Sequence, residues 1–258
     1  MGVFDSGVGG LSVLRAIRGA LPFEDLLYVG DSGCAPYGDR SPEFIKGRAA
    51  AITNFLIDQR AKAIVVACNT ATAVAVESLR AHFQLPIVAI EPAVKPAASR
   101  TRSRVVGVLA TTGTLSSPNM AKLLANYGAD VEFLIQPCPG LADQVEKGEL
   151  ASEQTRTLVE RYVRPLIDKG ADILVLGCTH YPFVAPVIRD IAGPTIDIID
   201  PATAVARELR RRLDIAELLR DEAAEGGEEF WTSGDLDEGR RIMGQLWGKT
   251  IDIRQLER

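Results

Sequence analysis

Two of the four cysteines, Cys68 and Cys178, sit in matched surroundings. Ile64-Val-Val-Ala-Cys68-Asn-Thr and Leu174-Val-Leu-Gly-Cys178-Thr-His each run through apolar residues to a cysteine and then to small polar ones. Such a short apolar run reads as a buried strand. A thiol at the end of a strand and ahead of a helix lies near backbone N–H groups and the positive end of the helix dipole, which favours thiolate over thiol. Two such groups on opposite faces of a carbon acid can take a proton from one side and return one on the other, inverting the centre with no cofactor. Free cysteine is also among the most buried residue types and is commonly inert. The shared context of Cys68 and Cys178 is what weighs against inertness.

Other candidates cluster in loops. Asp5-Ser6-Gly7-Val8-Gly9-Gly10 follows an apolar start and leads into a helical pattern, so its backbone N–H groups could hold an anion. It fails as a dinucleotide fingerprint because Ser12 stands where the third glycine would be, and no Gly-Lys-Ser/Thr marks a P-loop. Gly30-Asp31-Ser-Gly-Cys-Ala-Pro36-Tyr37-Gly38 is a turn-rich loop in which Tyr37 could cover a small ligand. His180, two residues after Cys178, is placed to relay its proton, whereas His82 lies in a helical stretch and reads as packed or solvated. With two histidines, no C-x-x-C and no H-x-x-x-H, neither a metal nor a disulfide framework is expected.

These residues need elements to hold them. Short β-branched runs at 25–29, 63–67, 86–90, 104–110, 131–136, 172–176 and 195–199 alternate with segments of helical period, which predicts an α/β fold with mostly parallel sheets. Ser41-Pro42 and Ser117-Pro118 read as helix starts, and Gly128 and Gly170 as helix stops. A charged helix is expected over 207–220, an acidic loop over 221–229, and a last strand–helix–strand unit from Phe230. Besides the cysteine match, offset by 110 residues, Gly2-Val-Phe-Asp-Ser resembles Gly107-Val-Leu-Ala-Thr at an offset of 105. Similar offsets predict two related, pseudo-symmetric lobes, each a parallel sheet flanked by helices, with an active site in the cleft at their strand ends. The lobes are drawn at 1–92 plus 203–258 and at 93–202.

Composition narrows the partners. The net charge is −5, hydrophobic residues make up 47% and charged residues 24%. That balance predicts a folded core and offers no electrostatic basis for binding nucleic acid. No apolar run approaches the ~20 residues a membrane helix needs. The start, Met-Gly-Val-Phe-Asp-Ser, lacks the charged and apolar regions of a secretory signal, so a cytoplasmic location is expected.

Taken together the motifs resemble those of the bacterial glutamate racemases, of the cofactor-independent aspartate/glutamate racemase superfamily. Gly2-Val-Phe-Asp5-Ser6-Gly-Val-Gly-Gly-Leu, Gly30-Asp31 with Pro36-Tyr37-Gly38, Ala67-Cys68-Asn69-Thr70 and Gly177-Cys178-Thr179-His180-Tyr-Pro occur in that family's order across essentially the whole chain. In two departures, the chain begins almost at its first strand, and Ala110 stands where many members have glycine. The resemblance implies that Cys178 removes the α-proton of L-glutamate and Cys68 returns one on the other face, with roles exchanged in reverse. It implies that Asp5 assists Cys68 and His180 assists Cys178. Substrate contacts map to Asp5, Ser6, Pro36, Tyr37, Gly38, Asn69, Thr70, Thr179 and His180, with Thr111, Thr114 and Glu146 added from the second lobe. No cofactor is expected; the partners are L- and D-glutamate, with D-glutamate serving peptidoglycan, and a homodimer is allowed. Two rival readings remain open at the level of sequence. One is a binding or regulatory protein that keeps the pocket without turnover. The other is a dithiol redox or cysteine-hydrolase enzyme, which needs thiols within disulfide reach or a nucleophile–His–acid trio.

Overall fold

The computed structural model describes residues 1–128, 130–220 and 224–257. The chain divides into two compact units, Met1–Ile90 with Ala202–Arg258, and Glu91–Pro201.

The first unit begins β1 (Gly2–Asp5), α1 (Leu11–Ala20), β2 (Leu26–Gly30), α2 (Pro42–Asp58), β3 (Ile64–Val66), α3 (Asn69–His82), β4 (Ile87–Ala89). The second unit holds α4 (Val94–Arg100), β5 (Val105–Ala110), α5 (Thr112–Leu115), α6 (Pro118–Tyr127), β6 (Glu132–Pro137), α7 (Leu141–Glu146), α8 (Glu153–Asp168), β7 (Ile173–Gly177), α9 (Ala185–Ala192) and β8 (Asp197–Ile199). The chain then completes the first unit with α10 (Ala202–Ile215), β9 (Glu228–Thr232), α11 (Leu236–Trp247) and β10 (Ile253–Gln255).

Both sheets are parallel throughout their described pairings. Their strand orders are β10-β9-β2-β1-β3-β4 and β6-β5-β7-β8. Removing β9 and β10 leaves 2-1-3-4 in one unit and the same order in the other, so the sequence repeat corresponds to a repeated topology. In each, the first strand has its successor on one side and the third strand on the other. This reversal opens a crevice at the carboxyl ends of β1 and β3, and likewise of β5 and β7, where open α/β sheets bind ligands.

Burial on both faces explains the near-continuous apolar strands. Every residue of β1, β2, β3 and β7 is buried. One core cluster packs Phe4, Val29, Ile64 and Val66 against Ile45, Ile52 and Leu56 of α2 and Leu79 of α3; another packs Val106, Val108, Ile173 and Val175 against Val94 of α4 and Met120 of α6. Helix starts follow the expected chemistry. Ser41 accepts a hydrogen bond from Phe44 N ahead of Pro42, and Ser117 accepts one from Met120 N ahead of Pro118.

The charged helix and the acidic segment after it differ from the expectation. The charged helix occupies Ala202–Ile215 rather than 207–220, because Glu217 turns left-handed (φ 54°) while Leu218 N and Glu217 N donate back to Leu213 O and Asp214 O. That is a Schellman closure, which terminates a helix irrespective of the charge beyond it. The acidic loop drawn over 221–229 lies partly outside the described residues, and Glu228 and Glu229 belong to β9, paired with β2 from Leu26↔Glu228 onward. No helix among the described residues is long and apolar enough to cross a membrane.

Candidate active site

In the first unit the candidates converge at the crevice between β1 and β3. Asp5 closes β1 and is fully buried. Its Oδ1 accepts from Gly7 N at 2.9 Å and from Ser6 Oγ at 3.3 Å, which fixes the glycine-rich turn. Cys68 is the N-cap of α3: its Sγ accepts from Ala71 N at 3.4 Å and lies 3.6 Å from Ser6 Oγ. A sulfur held by a helix N-terminal N–H sits where negative charge is stabilised. Asn69 and Thr70 open α3 and are buried. Both polar atoms of the Asn69 amide, Nδ2 and Oδ1, are buried with no hydrogen-bond partner among the described residues. Buried amides are rarely left this way, since each unmet group costs about 1–3 kcal/mol, which marks Asn69 as a candidate contact for a polar ligand. Tyr37 is buried and shares the core cluster of Cys68, and its turn packs on α3, whereas Pro36 is exposed.

Two glycines set these distances. A Cβ at Gly10 would stand 2.7 Å from Asp5 Cβ and 3.1 Å from Ala67 Cβ; one at Gly30 would stand 2.8 Å from Gly7 O. Neither position accepts a side chain without moving the loop that carries Asp5 and Ser6.

In the second unit the equivalent crevice lies between β5 and β7. Ala110 is in register with Gly177, so Thr111 and Cys178 leave adjoining strand ends. Thr111 caps α5, accepting from Thr114 N at 3.2 Å and donating to Thr114 Oγ1 at 3.0 Å. Cys178 departs from the helix-start environment expected of it. The 3₁₀ turn Tyr181–Val184 follows, and α9 begins only at Ala185. A single 3₁₀ turn supplies little dipole. Cys178 is instead served by a cation: its Sγ lies 3.5 Å from His180 Nδ1, and His180 Nε2 lies 2.6 Å from Glu146 Oε1. Burial opposes charging of His180, yet the sulfur on one nitrogen and the carboxylate near the other hold its pKa well above the usual imidazole value. Thr179 is buried beside them.

Some participants were passed over in the sequence. Gln144 is buried, and its backbone carbonyl accepts from Glu149 N at 2.8 Å; the Thr155 hydroxyl donates to Glu149 O and lies 3.5 Å from Gln144 Oε1. Together they fix the turn after Glu146. Ser152, the N-cap of α8, accepts from Thr155 N and holds that residue in place. Arg48 and Ser233, which the sequence does not single out, join Asp31 in a network linked to Tyr37. The remaining cysteines are structural in setting: burial pushes the Cys138 thiol up, and Cys34 packs in the core cluster of α2 and α3. His82 is exposed in the last turn of α3, its Nδ1 2.8 Å from Ser78 O. No group of three metal-ligating side chains occurs among the described residues.

A repeated 2-1-3-4 parallel sheet with a thiol just beyond each repeat's third strand, and polar helper groups beside it, defines an α/β protein equipped for proton transfer. The chain belongs to the Asp/Glu/Hydantoin racemase family, which matches residues 9–209. It is 52% identical to the glutamate racemase of Methylococcus capsulatus over 256 residues, spanning 99% of this chain and 94% of that one. A glutamate racemase isoform from Bacillus anthracis has a similar fold, with a TM-score of 0.90 at 33% identity over 99% of this chain and 96% of that one. So does the Escherichia coli glutamate racemase solved in complex with L-glutamate and activator UDP-MurNAc-ala, at TM-score 0.86 and 28% identity over 99% and 97%.

Proposed function

We propose that this chain interconverts L- and D-glutamate by a two-cysteine mechanism in the cytoplasm and so supplies D-glutamate for peptidoglycan. The observation that carries the mechanism is the pairing of each thiol with its own helper set at the same topological position: Cys68 with Ser6 and Asp5, Cys178 with His180 and Glu146. Glutamate as substrate is supported by the Methylococcus capsulatus relative at 52% identity over nearly the whole chain.

In the L-to-D direction the Cys178 thiolate takes the α-proton and leaves a carbanion. The Cys68 thiol then delivers its proton to the opposite face, giving D-glutamate, a Cys178 thiol and a Cys68 thiolate. The reverse reaction exchanges the roles, so no oxidant or cofactor enters the balance. An amino acid α-proton is far less acidic than a thiol, so fixed donors must stabilise the developing charge and align the reacting atoms. Asn69, Thr70, Thr111, Thr114 and Thr179 supply hydroxyl and amide groups suited to two carboxylates and an ammonium.

Polarimetry with L-glutamate and L-aspartate side by side, without pyridoxal phosphate, tests the reaction. Inversion of glutamate with solvent deuterium entering the α-position is expected. Cys68→Ser and Cys178→Ser should each lower turnover by about 10²–10⁴-fold. Robust racemisation by both single variants would rule out the two-thiol mechanism.

A further inference from the structure

The turn at Pro36–Gly38 is braced by a fully buried carboxylate that the proton transfers do not use. Asp31, just past β2, accepts four hydrogen bonds. Tyr37 Oη donates to Oδ2 at 2.5 Å, and Arg48 donates through Nε to Oδ2 at 3.0 Å and through Nη2 to Oδ1 at 2.7 Å. Ser233 Oγ donates to Oδ1 at 2.6 Å and itself accepts from Gly33 N at 3.1 Å. These four donors fill the lone-pair sites of the carboxylate. One side chain thereby ties the loop after β2 to α2 through Arg48 and to the end of β9 through Ser233.

The consequence for Tyr37 is specific. Burial and the adjacent Asp31 charge push its phenol up, so it remains a hydrogen-bond donor, and that donor is committed to Asp31. What Tyr37 and Gly38 can offer a ligand is therefore the ring, the accepting lone pairs of the phenolic oxygen and the backbone, whose positions follow Asp31. Arg48 forms a two-pronged pair and cannot rotate without losing both bonds.

We propose that Asp31, with Arg48 and Ser233, is the positioning unit for the Tyr37–Gly38 turn and sets how tightly the turn holds substrate rather than how fast the α-proton moves. This rests on the glutamate racemase reading above. Replacing Asp31 outright would leave the half-buried Arg48 guanidinium and two hydroxyls without their acceptor and risk unfolding, so the test uses milder changes: Tyr37→Phe, Ser233→Ala and the pair. Steady-state kinetics in both directions should show KM for both enantiomers raised about tenfold in Tyr37→Phe, with kcat within about twofold of the parent. Ser233→Ala should raise KM less, and the pair should be no worse than Tyr37→Phe alone, because Ser233 reaches the Tyr37 ring through Asp31, whose bond to the phenol that variant has already lost. Unchanged KM with a lowered melting temperature would reduce the network to a brace and overturn the proposal, as would multiplicative effects or a loss confined to kcat. If the parent chain itself does not racemise glutamate, the functional reading fails and this proposal with it; if the parent turns over and the variants keep its KM, only the positioning role fails.

Discussion

Cys68 and Cys178 lie in different electrostatic surroundings. Cys68 faces the first N–H groups of α3, a fixed dipole that does not titrate, whereas Cys178 lies beside His180 and, through it, Glu146. Losing the carboxylate should thus weaken one thiol and spare the other. Glu146→Gln is expected to lower kcat/KM by about 10–100-fold, the value of one charge-assisted hydrogen bond, which steady-state assays in both directions would measure. The raised His180 pKa also gives the sign of a stability effect. A group held protonated by folding contributes stability below its unfolded pKa, about 6.5, and loses it as pH rises through the folded value. Urea melts should show the parent's advantage over Glu146→Gln at about pH 6 and its decline at increasingly alkaline pH.

At the scale of elements, close backbone approach and loop capping hold the strand ends in place. Gly10→Ala brings a methyl against Asp5 Cβ and Ala67 Cβ, so the helix start and β1 must separate. A cost of about 1–3 kcal/mol is expected in urea unfolding, with activity falling further because Asp5 is displaced. In the second unit, Asp172 precedes β7 and gathers the loop before β5. It accepts from Thr101 Oγ1 at 2.6 Å, Arg102 N at 2.7 Å and Ser103 N at 3.1 Å. Partial burial works against ionisation, but these donors outweigh it and bring its pKa to about 2. A depressed carboxylate contributes stability above its unfolded value and loses it as pH falls through the folded one. Asp172→Asn should therefore be less stable than the parent at neutral pH, and the gap should close between about pH 4 and pH 2 in thermal melts.

The molecule as a whole is one topology used twice and extended once. The 2-1-3-4 order recurs, while β9 and β10 widen only the first sheet, and Ser233 at the end of β9 reaches the Asp31 network from that extension. Because the proposed proton carriers are all side chains of the chain, treatment with a chelator should leave racemisation unchanged. Loss of optical-rotation change after chelation, restored by a divalent ion, would contradict that expectation.

Local pattern carried much of this. Apolar runs ending in Cys68 and Cys178, serine–proline helix starts and the matched offsets are short-range features, because strand burial and helix capping depend on residues a few positions apart. The end of α10 was misread since a Schellman closure on Glu217 leaves no glycine to signal it. Glu146 entered through the family resemblance alone and Ser233 not at all, because Glu146 meets His180 across 34 residues and Ser233 meets Asp31 across 202, contacts that exist only once strand order is set. The sequence determined which residues stand at strand ends and where the serine–proline helices begin; only the tertiary structure decided which distant carboxylates and hydroxyls meet them, because sheet order and helix packing bring together side chains that share no local periodicity.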